Sequence, residues 1–352
     1  SEEVYYTEKE LVDGKTPSGK EVVLIKEKNY FFRMSKYVDQ LVEHIEKHPD
    51  FIQPNHRKNE VLGFLKKDVH DLCISRPKSR LEWGIEIPFD TNYVTYVWFD
   101  ALLNYATAVG YLQEDRNQDF EQWWKQANVT HVIGKDILTT HAVYWTTMLL
   151  ALKVPLPTTI FATGWILNKD NEKMSKSSGD VINPLDFKDI VGVDGLRYFL
   201  ARDVHFGNDA PISQELVYSR INSELANNLG NLINRTTNLF VKYFEGKVPQ
   251  KFHQDQETLC LISEAESVAE KVKTEITHYR PSYALGHIIE MLNHANKYLE
   301  EKAPWKQAKE DLESAGKSLY AALECVRIAN ILLQPVMPRK CKEIFERIGC
   351  TD

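Results

Sequence analysis

Lys173-Met174-Ser175-Lys176-Ser177 is the stretch around which the rest of the chain falls into order. It sets two ammonium groups and two hydroxyls within five residues, with Gly179 close behind. Flexible ammonium groups can follow negative charge as it builds on phosphate oxygens, and hydroxyls can donate to the same oxygens. Glycine and serine let such a loop close and reopen. The plain alternative is a solvated surface loop with two lysines. A given five-residue string arises by chance in roughly one chain of this length in ten thousand, so the flanking sequence decides. Here an apolar run predicted as a strand (residues 159–165) precedes the loop, and a helical pattern follows it.

Upstream, residues 73–170 alternate short apolar runs with helical patterns. The runs are Leu72–Ser75, Val94–Phe99, His131–Ile133 and Thr159–Thr163, separated by helical spacing over Ala101–Tyr111 and Ile137–Leu152. This alternation predicts a parallel sheet with crossover helices, part of a doubly wound α/β domain. Such sheets bind ligands beyond the carboxyl ends of their strands. Residues 1–72 are charged and mixed, with a short strand predicted over Glu21–Lys26 and helices over Phe31–His48 and Arg57–Lys66. Downstream, 171–211 reads as a polar link carrying one helix near Leu185–Arg202. From Ile212 to Gly349 only amphipathic patterns remain: 213–244, 255–278, 281–301, 310–333 and a short one over Pro338–Ile348. Pro281, Pro304, Pro335 and Pro338 punctuate them, as expected of an all-α bundle.

The 352 residues suffice for two or three domains with their own cores. The net charge of -7 argues weakly against nucleic acid, because only a contacting face must be basic. No apolar run approaches a membrane span, and acidic residues follow Ser1 where a signal peptide would be basic. Ser1 in place of an initiator Met reads as numbering begun inside a longer protein. Cysteines at 73, 260, 325, 341 and 350 include no Cys-x-x-Cys pair. No thiolate zinc knuckle and no disulfide framework is therefore expected in this chain, and a reducing cytosol or organelle matrix fits.

Two further stretches carry chemistry. In Asn92–Tyr105, Trp98, Ala101 and Tyr105 are spaced i, i+3, i+7, so a helix beginning near Trp98 would set them on one face. Ile137 and His141 are spaced i, i+4 on the next helical pattern. Together they can line an apolar cavity with an aromatic wall, which suits a thioether. Ordinary core packing is the competing reading, and for Ala101 alone it is the better one. Gly134 and Asp136 follow a predicted strand, where a carboxylate can accept from ribose hydroxyls or cap a helix.

Lys173–Ser177 resembles the signature loop of class I aminoacyl-tRNA synthetases. Asn92–Tyr105, Ile133-Gly134-Lys135-Asp136-Ile137 with His141, and Gly164-Trp165 resemble methionyl-tRNA synthetases of the bacterial and organellar branch. Asn227–Arg235 and Ala303-Pro304-Trp305 resemble that family's anticodon-reading helix and its stacking turn.

The resemblance implies an organisation: the end of a connective insertion with peripheral helices (1–72), the second half of a Rossmann-like catalytic domain (73–170), a signature-loop and stem-contact region (171–211) and an α-helical anticodon-binding domain (212–352). It implies a methionine–tRNA ligase using ATP with Mg2+, monomeric and cytoplasmic, with a mitochondrial setting also compatible. Catalytic roles would fall to Lys173, Ser175, Lys176 and Ser177. ATP would be held by Gly134, Asp136, Gly164, Trp165 and Met174, and methionine by Trp98, Ala101, Tyr105, Ile137 and His141. Asn231, Arg235 and Trp305 would read the anticodon of tRNA(Met). A sister synthetase for leucine, isoleucine, valine or cysteine, or a tRNA-binding module without catalysis, are the rivals. The family's companion motif, His-Ile-Gly-His, does not occur, so the chain is expected to lack the upstream nucleotide-binding half and to be inactive without it. Thr140 and Thr163 depart from the family pattern, which leaves one wall of the amino-acid pocket open and removes one ATP contact.

Overall fold

The computed structural model describes residues 11, 13–16, 21–22, 27–67, 69–174, 183–248 and 256–350. Ser175, Lys176 and Ser177, and most of the strand predicted over Glu21–Lys26, lie outside them. The chain divides into two units: Ser1–Thr130 with Leu138–Thr159, and His131–Ile137 with Ile160–Asp352.

The first unit holds β1 (Phe31–Phe32), β2 (Ile52–Gln53), β3 (Leu72–Cys73), β4 (Ser75–Pro77), β5 (Glu86–Ile87) and β6 (Asp90–Thr95). Its helices are α1 (Val38–Lys47), α2 (Asn55–Leu65), α3 (Val97–Ala101), α4 (Asn104–Ala108), α5 (Asn117–Phe120) and α6 (Thr146–Leu152). Helix α1 buries Leu41 and Ile45, one turn apart, and packs on α2 and α6. The pattern predicted as a helix from Phe31 instead begins as a strand: Phe31 pairs with Cys73, and α1 starts at Val38.

Of the four runs expected in the parallel sheet, Leu72–Ser75 and Val94–Phe99 do not join it. Strands β4 and β5 both pair antiparallel with β6. Only Pro88 and Phe89 separate Ile87 from its partner Asp90, and so short a link can join only antiparallel strands. The apolar run Val94–Phe99 also splits. Its first residues end β6, and from Val97 it is the first turn of α3. Periodicity alone cannot divide such a run.

In the second unit, β7 (Thr130–Gly134) and β8 (Thr159–Thr163) are sheet neighbours, and Thr163 Oγ1 donates to Ile133 O at 3.1 Å. Strands β9 (Ile166–Leu167) and β10 (Ala210–Pro211) pair in parallel. Between them runs α7 (Pro184–Asp203), started by Pro184 and an Asn183 side chain that accepts from Leu185 N, and kinked at Gly192.

Helix α8 (Gln214–Arg220), capped by Ser213, continues through a π-helical stretch, Ile221–Gly230, into α9 (Asn231–Phe244). Then follow α10 (Gln256–Thr277), α11 (Pro281–Lys302), α12 (Pro304–Gln307), α13 (Leu312–Leu333) and α14 (Pro338–Ile348). Prolines open α11, α12 and α14, where a missing N–H is harmless. One apolar cluster joins α9, α10, α11, α13 and α14, with Leu232, Ile288, Leu292, Leu299, Leu319 and Leu333 fully buried.

Candidate active site and anticodon surface

In the first unit, Tyr105, His141 and Trp145 gather their rings. Tyr105 and His141 are 5.4 Å apart at 74°, and His141 and Trp145 are 4.5 Å apart. Tyr105 also meets Trp145 edge-on at 5.6 Å. His141 and Trp145 are fully buried while Tyr105 is 38% exposed, so the cluster has a closed floor and an open rim. Trp145 stands at 89° to Trp124, whose Nε1 donates to Pro155 O at 2.9 Å. An aromatic floor of this kind attracts polarizable sulfur.

The helical assumptions behind this group hold only in part. Trp98 and Ala101 lie on α3, and Tyr105 lies on α4, beyond a break at Leu102 and Leu103. Trp98 is 42% exposed and, among the described residues, has no ring partner in the cluster. The pattern predicted as one helix from Ile137 is a 3-10 turn (Lys135–Ile137), a π-helical stretch (Thr140–Trp145) and then α6. Ile137 belongs to the second unit. Trp145, four residues beyond His141, was open to the same spacing argument and escaped it.

In the second unit the ends of β7 and β8 carry a different chemistry. Asp136 is exposed on the turn that follows β7. A Cβ on Gly134 would lie 2.6 Å from Asp136 Oδ1, so a side chain there would displace the carboxylate from its present position. Gly164 is under a tighter constraint: its Cβ would sit 2.0 Å from Asn208 O. The backbone of Asn208 and Asp209 presses on that bend, and Trp165 N donates to Asp209 Oδ1 at 2.9 Å.

Two ammonium groups stand over the Trp165 ring, Lys135 Nζ at 4.0 Å and Lys173 Nζ at 4.1 Å. Lys135 is also paired with Asp209 at 2.7 Å. Met174 is half-buried against Phe187, Phe199, Ile212 and Val217, an apolar anchor at the entrance of the signature loop. Lys135 and Asp209 were not singled out in the sequence. Asp209 lies 45 residues beyond Gly164, and no local pattern marks it.

In the helical bundle, Arg235 sits one turn after Asn231 on α9. Its guanidinium lies 5.5 Å over the Trp305 ring and 3.6 Å from Glu300. Asn231 is exposed, and Trp305 is half-buried in the first turn of α12. Asn228, one turn before, is buried and shares amide hydrogen bonds with Asn293 and Asn296, at 2.8 and 2.7 Å.

Residues 3–237 match the family model of class I tRNA synthetases (M), and residues 248–352 match that of the anticodon binding domain of methionyl tRNA ligase. The chain belongs to the methionyl class I tRNA synthetases. To the methionine–tRNA ligase of Caldanaerobacter subterraneus it is 43% identical, over 99% of this chain and 54% of that protein. To that of Bacillus subtilis it is 41% identical, over 100% and 54%. Mycobacterium tuberculosis methionyl-tRNA synthetase bound by methionyl-adenylate superposes with a TM-score of 0.89 at 38% identity, over 97% of this chain and 68% of that one. The chain spans about half the length of the curated relatives it matches. The mixed α/β region followed by a helical bundle is thus the fold of methionyl-tRNA synthetases, a Rossmann-like catalytic region with an anticodon-binding domain.

Proposed function

We propose that this chain works within a methionine–tRNA ligase, which joins methionine to ATP as methionyl-adenylate and passes it to the 3′ end of tRNA(Met). The observation that carries the reading is the ring cluster of Tyr105, His141 and Trp145, buried at its floor and open at one rim. It offers aromatic faces with a few polar tips and no charged carboxylate or ammonium group, a set that suits a thioether. In this reading Asp136 would accept from the ribose hydroxyls, and the ammonium groups of Lys173 and Lys176 would take up charge on the phosphates. Mg2+ arrives with ATP, bound through the phosphate oxygens as part of the substrate. In the bundle, Arg235 and Trp305 present a guanidinium plane and a ring face, the means by which unstacked RNA bases are held; Asn231 adds a donor and an acceptor for a Watson–Crick edge. The anticodon they would read is CAU.

The test is ATP–pyrophosphate exchange by the full-length protein that carries this chain. Methionine should drive exchange far better than leucine, isoleucine, valine or cysteine. Equal exchange with one of those would transfer the reading to a sister synthetase. Binding of tRNA with no exchange under any amino acid would reduce the chain to a binding module.

A further inference from the structure

We propose that Asp209 is a positioning residue for the nucleotide, gripping through one carboxylate both segments that are to hold ATP. The inference rests on the assignment of Gly134–Asp136 and Gly164–Trp165 to the nucleotide. Its Oδ1 accepts from the backbone N–H of Trp165 at 2.9 Å, and its Oδ2 is 2.7 Å from Lys135 Nζ. Lys135 lies directly between Gly134 and Asp136, so the second contact fixes the turn that carries the ribose-facing carboxylate. The first contact fixes the bend at Gly164, against which the Asn208 carbonyl is packed. Trp165 then serves as a common platform, with Lys135 on it at 4.0 Å and Lys173 at 4.1 Å. The two ammonium groups differ in their pairing. The Lys135 side chain is 15% exposed and paired, and it acts as a strut. Lys173 is exposed, and among the described residues no carboxylate pairs with it, so its charge stays available to phosphate. A carboxylate fits this double task because its two oxygens can take separate donors, one a neutral N–H and one a cation.

The experiment uses Asp209→Ala, Asp209→Asn, Lys135→Met and the Asp209→Asn/Lys135→Met double variant in the full-length protein, with KM for ATP and for methionine and kcat from pyrophosphate exchange. Asp209→Ala should lower kcat/KM for ATP by roughly ten- to hundredfold, as for loss of a charge-assisted hydrogen bond, and leave methionine KM within about twofold. Asp209→Asn keeps an oxygen for the Trp165 N–H and should fall between wild type and alanine. Lys135→Met should add little to Asp209→Asn, since both remove one ion pair. If Asp209→Ala does not fold, the asparagine and methionine variants carry the same comparison. Parallel loss of affinity for both substrates, or full additivity in the cycle, would overturn the inference and make Asp209 a general packing residue. Exchange by the parent that does not depend on methionine would instead sink the assignment on which it rests.

Discussion

Helices α10, α11 and α13 of the bundle each run for 22 residues, whereas α3 and α4 of the α/β region have five each. The long helices bury continuous apolar faces in one cluster, and α9, which carries Asn231 and Arg235, packs into the same cluster through Leu232, Ile233 and Phe240. Helices of five residues are far too short to persist alone. Tyr105 and His141 are therefore held by what lies under them, chiefly fully buried Trp145, and their backbone is free to depart from α-helical register. The bundle suits a surface that reads a large partner. The α/β region suits a close-fitting pocket, where irregular backbone turns side chains inward.

The largest expected effect lies where the bundle departs from its apolar plan. Buried Glu224 accepts from Tyr198 Oη at 2.6 Å, from Arg220 Nη1 at 2.7 Å and from Arg202 Nε and Nη2 at 3.2 and 3.1 Å. Burial and the Glu224 contact push the Tyr198 phenol well up. Arg220 is further held by both oxygens of Asp203 at 2.8 Å. Removing the shared carboxylate leaves Arg202, among the described residues, with no carboxylate partner and Arg220 with Asp203 alone, at a cost of about 3 kcal/mol. Glu224→Ala should shift the urea transition of the helical signal by that amount. A loss below about 1 kcal/mol, the range of exposed pairs, would mean that water already serves these arginines.

A smaller effect separates the regions by pH. Burial pushes His131, on β7, down to about 4 from an ordinary value near 6.5. Between these values the unfolded chain binds a proton that the folded chain refuses, so stability rises with pH. The contribution is complete above about 6.5 and is lost as pH falls through about 4. Thermal melts between pH 4 and 6.5 should therefore fall less steeply for His131→Asn than for wild type, as one titrating site is removed. An unchanged slope would show that His131 is already solvated.

The same contrast explains what the sequence discloses. The helical patterns predicted over 281–301 and 310–333 correspond to Pro281–Lys302 and Leu312–Leu333, because long amphipathic periods between prolines admit one reading. The π-helical stretch Ile221–Gly230 kept the outward look of an α-helix and could not be told from one. In the α/β region, Val94–Phe99 joined the end of a strand to the start of a helix, and Ile137–Leu152 concealed three helical registers. Tyr105 and His141 were found by spacing, yet their neighbour Trp145 was not. Asp209 reaches Trp165 and Lys135 across more than forty residues of chain, a contact made by tertiary structure alone.

The central claim is that the two regions divide one reaction, the α/β region activating methionine and the bundle reading the anticodon. The most direct measurement sets pyrophosphate exchange beside charging of tRNAs with CAU and with an altered anticodon, for wild type, Trp98→Ala and Trp305→Ala in the full-length protein. Trp98→Ala should lower exchange and charging together. Trp305→Ala should lower charging of the CAU tRNA by roughly 5- to 150-fold, the worth of one stacked base, and leave exchange at the wild-type rate. Its charging of the altered tRNA should change little. If Trp305→Ala depresses exchange as much as charging, or both tRNAs equally, Trp305 is a packing residue and the division of labour fails.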